Sequence, residues 1–360
     1  MTSPLQFGLE REFFVGDDIR QLEDEKIFSK NWICVTRKEN LPVAGSFLRV
    51  HLAGHDLVLT KTEDDEYRAF HNLCRHRGTR VIEADSGKLK NSCIRCPYHA
   101  WTYDLDGCLI GAPNMNTTEG FAREDFGLFE AGCVEWGGYL LVHLERKKQH
   151  FSEDFAAIIE MVEPWNMGDL HVGHTLNYEV DANWKLVFQN YSECYHCPTV
   201  HPRLNQMSPY KSATNDLETG AFLGGPMRLT EGYATISVDG KSIGPALPQL
   251  DDFQRNSVYY YTLFPSMFLS PHPDYVMVHR LQRISNTRTK VECDFLVQDA
   301  TDSGDVMRAV EQWDEVNRQD WHVCQLTQHG INSPAYRPGP YSQLEPMLVA
   351  FDQHYRRVMA

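Results

Sequence analysis

Residues 72–101 read NLCRHRGTRVIEADSGKLKNSCIRCPYHAW, and two short motifs in this stretch decide the fold of the first half of the chain. The first motif is Cys74-Arg-His76, and after 19 residues the second follows as Cys96-Pro-Tyr-His99. Each motif supplies one thiolate and one imidazole and is followed by residues that favour turns. Two such pairs predict one metal centre with four ligands from two loops.

Three interpretations compete for these four ligands. A Rieske-type [2Fe–2S] cluster takes two thiolates and two imidazoles, and the neutral imidazoles raise its reduction potential above that of an all-cysteine cluster. Zinc also accepts two cysteines and two histidines, and Cys93 adds a CxxC pair with Cys96. Zinc fingers, however, place both histidines together on a helix, whereas each motif here has one of each ligand. A chance pairing is the third interpretation, and the repetition of the motif argues against it. We therefore predict the cluster, with Cys93 as a bystander.

The residues around these motifs predict three regions. Residues 17–32 have the spacing of a helix, and we expect an N-terminal helical segment, residues 1–40, that packs on the last region. Residues 41–150 contain short alternating or β-branched runs that end at Gly, Asp or Asn, which is typical of a small all-β domain holding the cluster. Residues 151–360 form the third region.

Strand and helix patterns mix in residues 151–360, so the second half is predicted as an α+β domain with an antiparallel sheet and flanking helices. Helices are predicted over 151–165, from near Asn183, and over 304–329 with Gly330 as the C-terminal cap. Strands are predicted at 174–183, 257–264, 275–284 and 290–298.

A second group of potential ligands lies in residues 183–201, NWKLVFQNYSECYHCPTVH. On a continuous helix, Asn190, Glu193 and His196 form a polar stripe because they are spaced three residues apart. Proline cannot continue a helix, so the chain is expected to turn at Pro198 and bring His201 back toward His196. Either histidine alone is more often an ordinary core or surface residue.

Asp320 supplies a carboxylate that completes this group. It interrupts a largely uncharged stripe on the predicted C-terminal helix, which comprises Val306, Val310, Trp313, Asn317, Asp320, Cys324 and Thr327. A carboxylate on a buried face needs a partner, and a metal ion is a suitable one. Two histidines and one carboxylate form the facial triad of non-haem Fe(II) oxygenases. Asp314 and Glu315 fall elsewhere on the helix and are expected to face solvent.

Composition excludes several classes of function. The 34 Lys and Arg against 49 Asp and Glu give a net charge of −15, which argues against nucleic-acid binding. No apolar run approaches the roughly 18 residues of a membrane span, and no secretory signal is recognisable, so a cytoplasmic location is expected. Ten cysteines spread over 360 residues are therefore expected as metal ligands or buried thiols rather than as disulfides.

The segments NLCRHRGTR…RCPYHAWTYDLDG, residues 183–202 and residues 319–345 resemble the terminal oxygenase (α) component of Rieske non-haem iron oxygenases, and the similarity extends over nearly the whole chain. Respiratory Rieske proteins carry an extra cysteine after each ligand pair, which this chain lacks. The resemblance implies a [2Fe–2S] cluster on Cys74, His76, Cys96 and His99, and a mononuclear Fe(II) on His196, His201 and Asp320.

The resemblance also implies partners. Glu193, with Asn190 beside it, would bridge to a cluster histidine of the neighbouring subunit in a head-to-tail homotrimer. A separate reductase would deliver electrons from NAD(P)H through a flavin, and O2 and a small molecule would be the substrates. Most family members have Asp at the position of Glu193, and Glu is typical of the subgroup that acts on carnitine, betaines and choline.

The expected reaction is hydroxylation of the N-methyl group or an adjacent carbon of a quaternary ammonium compound, leading to N-demethylation or C–N cleavage. Aromatic rings bind such cations, and Tyr259, Tyr261 and Phe268 are the predicted substrate contacts, although these rings suit a sheet core equally well. An aromatic-ring hydroxylating dioxygenase α-subunit is the alternative enzyme. A Rieske electron carrier with a ligand-binding domain is the non-enzymatic alternative.

Overall fold

The computed structural model describes residues 4–145 and 148–360. The chain divides into two compact units: residues 24–155, the β unit, and residues 1–23 with 156–360, the α+β unit. The predicted fold class is confirmed in both halves. Residues 24–40, which we expected in an N-terminal segment associated with the α+β unit, belong to the β unit instead, because the strand Ile33–Arg37 joins its sheet.

The β unit consists of antiparallel strands in two sheets. Within the described residues, one sheet has seven strands in the order β1-β10-β9-β4-β3-β2-β5 and the other has three in the order β6-β7-β8. The strands are β1 (Ile33–Arg37), β2 (Ser46–Leu52), β3 (His55–Lys61), β4 (Tyr67–His71), β5 (Ser86–Lys88), β6 (Ile94–Arg95), β7 (Thr102–Tyr103), β8 (Leu109–Gly111), β9 (Glu130–Trp136) and β10 (Tyr139–His143). The helical pieces are a π-helical turn, Asp24–Phe28, a helical turn, Phe151–Asp154, and 3-10 turns at Lys38–Asn40, Lys90–Ser92, Arg123–Phe126 and Lys148–His150.

The α+β unit contains one antiparallel sheet with helices. In the part of the chain that the structure describes, six strands pair in the order β11-β16-β15-β14-β13-β12. They are β11 (His171–Val180), β12 (Phe222–Arg228), β13 (Ser257–Leu263), β14 (Met267–Pro271), β15 (Val276–Ser285) and β16 (Arg288–Val297). The helices are Glu12–Val15, Ile19–Glu23, Ala156–Val162, Trp184–Tyr191, Cys197–Val200, Pro202–Met207, Ser303–Asn332 and Pro346–Met359, with 3-10 turns at Glu163–Trp165, Met167–Asp169, Tyr210–Ser212 and Gln254–Asn256.

The long helix Ser303–Asn332 packs on this sheet through the face that the sequence predicted. Val306, Val310 and Trp313 are buried on that face, and the Trp313 ring contacts Tyr260 of β13 with ring centroids 6.3 Å apart. The apolar residues recur every three or four positions, so one side of the helix can bury them together. This contact positions the middle of the helix over the strands that line the active-site cavity.

Helix ends differ from the sequence predictions at two places. The helix that begins after Asn183 ends at Tyr191, so Glu193 and His196 lie in the following turn and not on a continuous helical stripe. At this end the N–H and the hydroxyl of Ser192 both donate to carbonyls of the last helical turn. The long helix continues through Gly330 to Asn332, and it stops where Pro334 restricts the backbone of Ser333.

Two strands were missed from the sequence. β12 reads FLGGPMR, and its two glycines and proline are typical of turns rather than strands. β12 is nevertheless the edge of the sheet, where proline removes no required hydrogen bond. β14 has only five residues and follows β13 closely, so the sequence pattern merged it with its neighbour.

A buried ionic cluster fixes the N-terminal helices to the α+β unit. The Glu23 carboxylate is almost fully buried and contacts Lys185 Nζ at 2.5 Å and Arg283 at 2.8 Å. Trp184 Nε1 and the Tyr355 hydroxyl also donate to it, at 2.9 and 2.8 Å. Burial would raise the pKa of Glu23, but Lys185, Trp184 and Arg283 lower it below its usual value, so the carboxylate is charged and is the counter-ion of Lys185.

Replacing Glu23 with Ala is predicted to destabilise the fold strongly, because Lys185 would remain buried without a counter-ion. A broken buried pair of this kind costs about 3–5 kcal/mol. The measurement is the thermal unfolding midpoint of the whole protein. Glu179→Ala, which removes an exposed pair with Arg288, is the control and is expected to cost at most about 1 kcal/mol. Equal midpoints for the two variants would contradict the prediction.

Candidate metal centres and active-site cavity

The two cysteine–histidine loops of the β unit share one backbone hydrogen-bond pattern. In each loop the cysteine N–H donates to the carbonyl five residues later, and the N–H four residues later donates back to the cysteine carbonyl. The distances are 2.7 and 2.9 Å in the loop of Cys74 and 2.8 and 3.1 Å in the loop of Cys96. The fourth residue has a positive φ in both, 71° at Gly78 and 57° at Ala100, which closes the turn.

These loops direct the cysteines inward and the histidines outward. Cys74 and Cys96 are each 2% exposed, whereas His76 and His99 lie at the surface. The two imidazole rings are 4.7 Å apart between centroids. The Tyr103 hydroxyl lies 3.3 Å from Cys74 Sγ. Two sulfurs and two imidazoles from separate loops therefore converge on one place at the edge of the β unit.

The chemistry of this donor set fits a [2Fe–2S] cluster. Burial raises the pKa of Cys96, while the N–H groups of Tyr98 and His99 oppose the rise by donating to its sulfur. N–H groups directed at cysteine sulfur stabilise the thiolate form that iron requires. The Cys93 thiol instead contacts the Lys90 carbonyl at 3.5 Å.

The second group of ligands is assembled from three pieces of the α+β unit. His196 lies in the turn after the helix Trp184–Tyr191, and His201 lies between two short helices that each have a proline in the first turn. Asp320 comes from the middle of the long helix. One ligand atom from each of His196, His201 and Asp320 lies within 4.8 Å of the others.

The histidines present their Nε2 atoms to Asp320. His201 Nε2 is 2.8 Å from Asp320 Oδ1, and His196 Nε2 is 3.3 Å from the same oxygen. The opposite ring nitrogens are held by side chains outside the group: Glu193 Oε1 is 2.5 Å from His196 Nδ1, and Gln319 Oε1 is 2.6 Å from His201 Nδ1. Such outer contacts fix the orientation of metal-binding imidazoles. The arrangement fits a three-ligand site for Fe(II).

Gln319 was not identified from the sequence. It is the neighbour of Asp320, and a glutamine beside an acid has no distinguishing pattern. Glu193 lies where the sequence predicted an acid near His196, and it also accepts from the N–H groups of Tyr195 and His196. Its contact with a neighbouring subunit stays a prediction.

The electrostatics of the three ligands show why they require a cation. Burial would raise the pKa of Asp320, but its hydrogen bonds with His196 and His201 hold it at about 2. Burial would lower the pKa of His196, but Asp320 and Glu193 raise it to about 10. Two carboxylates around one imidazole therefore favour a positive charge at this place, which a divalent metal ion would supply.

Cys194 and Cys197 form a disulfide beside His196, which corrects the expectation that this chain has none. The turn at residues 192–196 brings their Cα atoms to 5.0 Å, within the usual range for a disulfide. Among the described residues the other eight cysteines, including Cys74 and Cys96, are free thiols.

The three ligands open onto a cavity between the sheet and the helices. Asn190 and Tyr191 line it from one helix, and Trp313 and Asn317 line it from the long helix. The sheet side chains that line it lie on a single face: Leu223 and Met227 of β12, Tyr260 and Thr262 of β13, and His279 of β15; Gly224 and Gly225 of β12 contribute only backbone. Successive side chains of a strand point to opposite faces of the sheet. The side chains that alternate with the lining residues therefore point away from the cavity.

The aromatic residues of the cavity differ from the predicted ones. Tyr259 and Tyr261 do not line it, since alternation directs them to the opposite face, where the Tyr259 ring packs against Trp165 and the Tyr261 hydroxyl donates to Asp216. The sequence predicted contacts from the face of β13 that points away from the cavity. Tyr260, the residue between them, lines the cavity.

Phe268 also fails to line the cavity, although it lies on the correct face. The Tyr191 ring stacks on it with centroids 4.2 Å apart and covers it. Tyr191, Tyr260 and Trp313 are therefore the rings that surround the cavity, with centroid distances of 6.1 Å between Tyr191 and Tyr260 and 6.3 Å between Tyr260 and Trp313. Tyr191 and Trp313 have the spacing of ordinary core residues, so this role was not recognisable from the sequence.

Among the described residues, no helix is both long enough and apolar enough to span a membrane. This agrees with the absence of an apolar run in the sequence.

Comparisons with known proteins agree with both metal centres. Residues 31–122 match the family model "Rieske [2Fe-2S] domain", and residues 167–360 match "Ring hydroxylating alpha subunit (catalytic domain)". The chain is 29% identical to a glycine betaine monooxygenase oxygenase subunit of Pseudomonas aeruginosa, over 94% of this chain and 85% of that protein. It is 30% identical to the subunit of the same name from Chromohalobacter salexigens, over 93% and 82%.

Among solved structures, the crystal structure of a quaternary ammonium Rieske monooxygenase, described as giving insights into carnitine oxidation and inter-subunit electron transfer, superimposes with a TM-score of 0.80. The match covers 99% of this chain and 96% of that one at 22% identity, so it supports the fold alone. The second family model covers more than half of the chain by itself. The chain therefore belongs to the Rieske non-haem iron oxygenases, as an oxygenase α-subunit with a [2Fe–2S] domain and a mononuclear iron catalytic domain.

Proposed function

We propose that this enzyme hydroxylates a C–H bond of a small quaternary ammonium compound, at an N-methyl group or an adjacent carbon. The observation that carries the proposal is the set of three rings, Tyr191, Tyr260 and Trp313, around a cavity that also contains His196 and Asp320. A quaternary ammonium group cannot donate hydrogen bonds, and aromatic faces are the usual protein surface that binds it. The names of the two glycine betaine relatives support the same substrate class.

Charge supports a cationic substrate as well. Glu193 and Asp320 both line the cavity, whereas none of its described lining residues is Lys or Arg. The net charge of −15 would also attract a cationic substrate from solution toward the protein. The described lining thus contains no basic side chain that would repel a cationic substrate.

In this proposal His196, His201 and Asp320 hold Fe(II), and Cys74, His76, Cys96 and His99 hold the cluster. When bound at the three ligands, Fe(II) would supply the activation of O2, with electrons from the cluster, that hydroxylation of the substrate requires. The rings would hold the cationic nitrogen so that a methyl carbon faces the three ligands. NAD(P)H, O2, a proton and the substrate then give NAD(P)⁺, water and the hydroxylated product, and an N–CH2OH product releases formaldehyde.

Glu193 is proposed as the link between the two centres. Its hydrogen bond to His196 Nδ1 couples it directly to one iron ligand. Its second oxygen is occupied by backbone N–H groups of the same turn, which hold the carboxylate in place. We propose that it reaches a cluster histidine of a neighbouring subunit in a homotrimer, and that Asn190 supports this contact from the cavity wall.

The remaining partners are also proposals. A separate reductase carrying a flavin would supply electrons from NAD(P)H, since the name "oxygenase subunit" of the relatives denotes one component of a larger system. We place the enzyme in the cytoplasm, where NAD(P)H is available.

The proposed activity is tested with the holoenzyme and a surrogate reductase, by substrate-dependent O2 uptake and formaldehyde release. Choline, glycine betaine and carnitine are compared with benzoate and other simple aromatic acids. Turnover of at least one quaternary ammonium compound supports the proposal. Diol formation from an aromatic acid, with no turnover of the ammonium compounds, would instead favour the dioxygenase alternative.

Tyr260→Leu is predicted to weaken the binding of the active ammonium substrate by roughly 3- to 30-fold, because it removes one ring from the cation. The measurement is the Kd of the substrate and of its neutral carbon isostere, in which carbon replaces nitrogen. The isostere is the control, since it has no charge to lose and its binding should change little. Equal weakening of both ligands would assign Tyr260 a packing role only.

Asp320→Ala is predicted to lower the iron content from three to two per chain, because two histidines remain where three ligands were needed. Acid-labile sulfide and the visible absorption of the cluster should stay unchanged. Glu315→Ala, an exposed carboxylate on the same helix, is the control and should keep three irons. Three irons in the Asp320 variant would refute its assignment as a ligand.

Cys96→Ser is predicted to abolish the cluster, whereas Cys93→Ser should retain it. The first thiol is buried among the converging ligands, and the second contacts a backbone carbonyl outside that group. Acid-labile sulfide and visible absorption of the purified variants are the measurements. Loss of sulfide in the Cys93 variant would show that the CxxC pair takes part in metal binding.

A further inference from the structure

His279 is a buried histidine on the wall of the cavity, and the Asn317 side chain beside it comes near without reaching hydrogen-bonding geometry. Neither of its ring nitrogens has a partner among the described residues, and it is 1% exposed. Burial lowers its pKa to about 4, although Asn317 and the acids nearby oppose this, so the imidazole is neutral. A neutral imidazole offers one N–H donor and one acceptor. Buried polar groups are normally paired, so a free donor and acceptor at a binding cavity indicate a ligand group that completes them.

The position of His279 limits the length of that ligand. Asn317 lies beside it and also lines the cavity, and it precedes Asp320 by three residues on the long helix. The His279 ring lies 5.6 Å from the Tyr191 ring between centroids. A cation bound against Tyr191 therefore needs only a short chain to place a polar group near His279.

The charge of the surroundings limits the chemistry of that group. The nearest basic residue in sequence, Arg280, points to the other face of the sheet because strand residues alternate, and it pairs there with Glu292 at 3.1 Å and Asp294 at 3.4 Å. The described lining contains neither Lys nor Arg. A carboxylate that entered would lose its hydration without gaining an ion pair, whereas a hydroxyl group would need only hydrogen bonds.

We infer that His279 is a specificity-determining residue that hydrogen-bonds an uncharged hydroxyl group of the substrate, so that the preferred substrate is a short hydroxyalkyl quaternary ammonium ion. This inference rests on the proposed function and adds to it the chemistry of the substrate's second end. The aromatic rings bind the cationic end of the substrate. His279 distinguishes substrates by the group at the other end of a short chain from the ammonium nitrogen.

The test measures equilibrium binding to the anaerobic holoenzyme by calorimetry, with three probes. Choline carries the hydroxyl group, propyltrimethylammonium replaces it with a methyl group of similar size, and glycine betaine carries a carboxylate. The protein variants are His279→Phe, which keeps the ring and removes both nitrogens, and His272→Phe as the matched control. His272 is another buried histidine with an unpartnered ring nitrogen, but it does not line the cavity.

The wild-type enzyme is expected to bind choline about tenfold more tightly than propyltrimethylammonium, the effect of one hydrogen bond, and more tightly than glycine betaine. His279→Phe should reduce the first ratio to about one, and His272→Phe should leave it unchanged. Tighter binding of glycine betaine, or a ratio that survives in His279→Phe, overturns the inference while the proposed function stands. If none of the three probes binds while carnitine is turned over, the inference fails and the proposed function stands. If the wild-type enzyme shows no preference for choline, the inference fails whether or not the variants fold.

Discussion

The contact of Asp320 with two imidazoles is the constraint on which the α+β unit depends. Its carboxylate lies on the inner side of a 30-residue helix, where a charge without a partner would be costly. His196 and His201 reach it only because the preceding helix ends at Tyr191 and two short helices with proline in their first turns redirect the chain. Glu193 and Gln319 then hold the far side of each ring, so both Nε2 atoms stay directed at one place.

Alternation along the sheet decides which side chains a substrate can meet. The face that lines the cavity carries Tyr260 and His279, and the opposite face carries Tyr259 and Tyr261. Because the period of a strand is two, a shift of one residue would exchange these sets. The same face thus provides a ring for the cationic end of a ligand and a free imidazole for its polar end.

The β unit positions its two cysteines and two histidines with one type of turn that occurs twice. The two cluster loops have the same pair of backbone hydrogen bonds and the same positive φ at the fourth residue, so each cysteine is buried while its histidine reaches the surface. Buried thiolates stabilise ferric iron, and exposed imidazoles keep the other iron accessible to an electron donor or acceptor. Ala100 occupies the position that glycine takes in the first loop, and it accepts the strained backbone because the turn requires it.

The sequence by itself determined the ligand types, their spacing within each motif and the fold class of each half, because these depend on short-range patterns. Tertiary structure alone decided that Tyr260 and not Tyr259 or Tyr261 lines the cavity and that Gln319 supports His201. Alternation defines two faces of β13, but the long helix, more than 40 residues later, determines which face is covered and which encloses the cavity. Contacts between segments so distant in the chain leave no local pattern in either one.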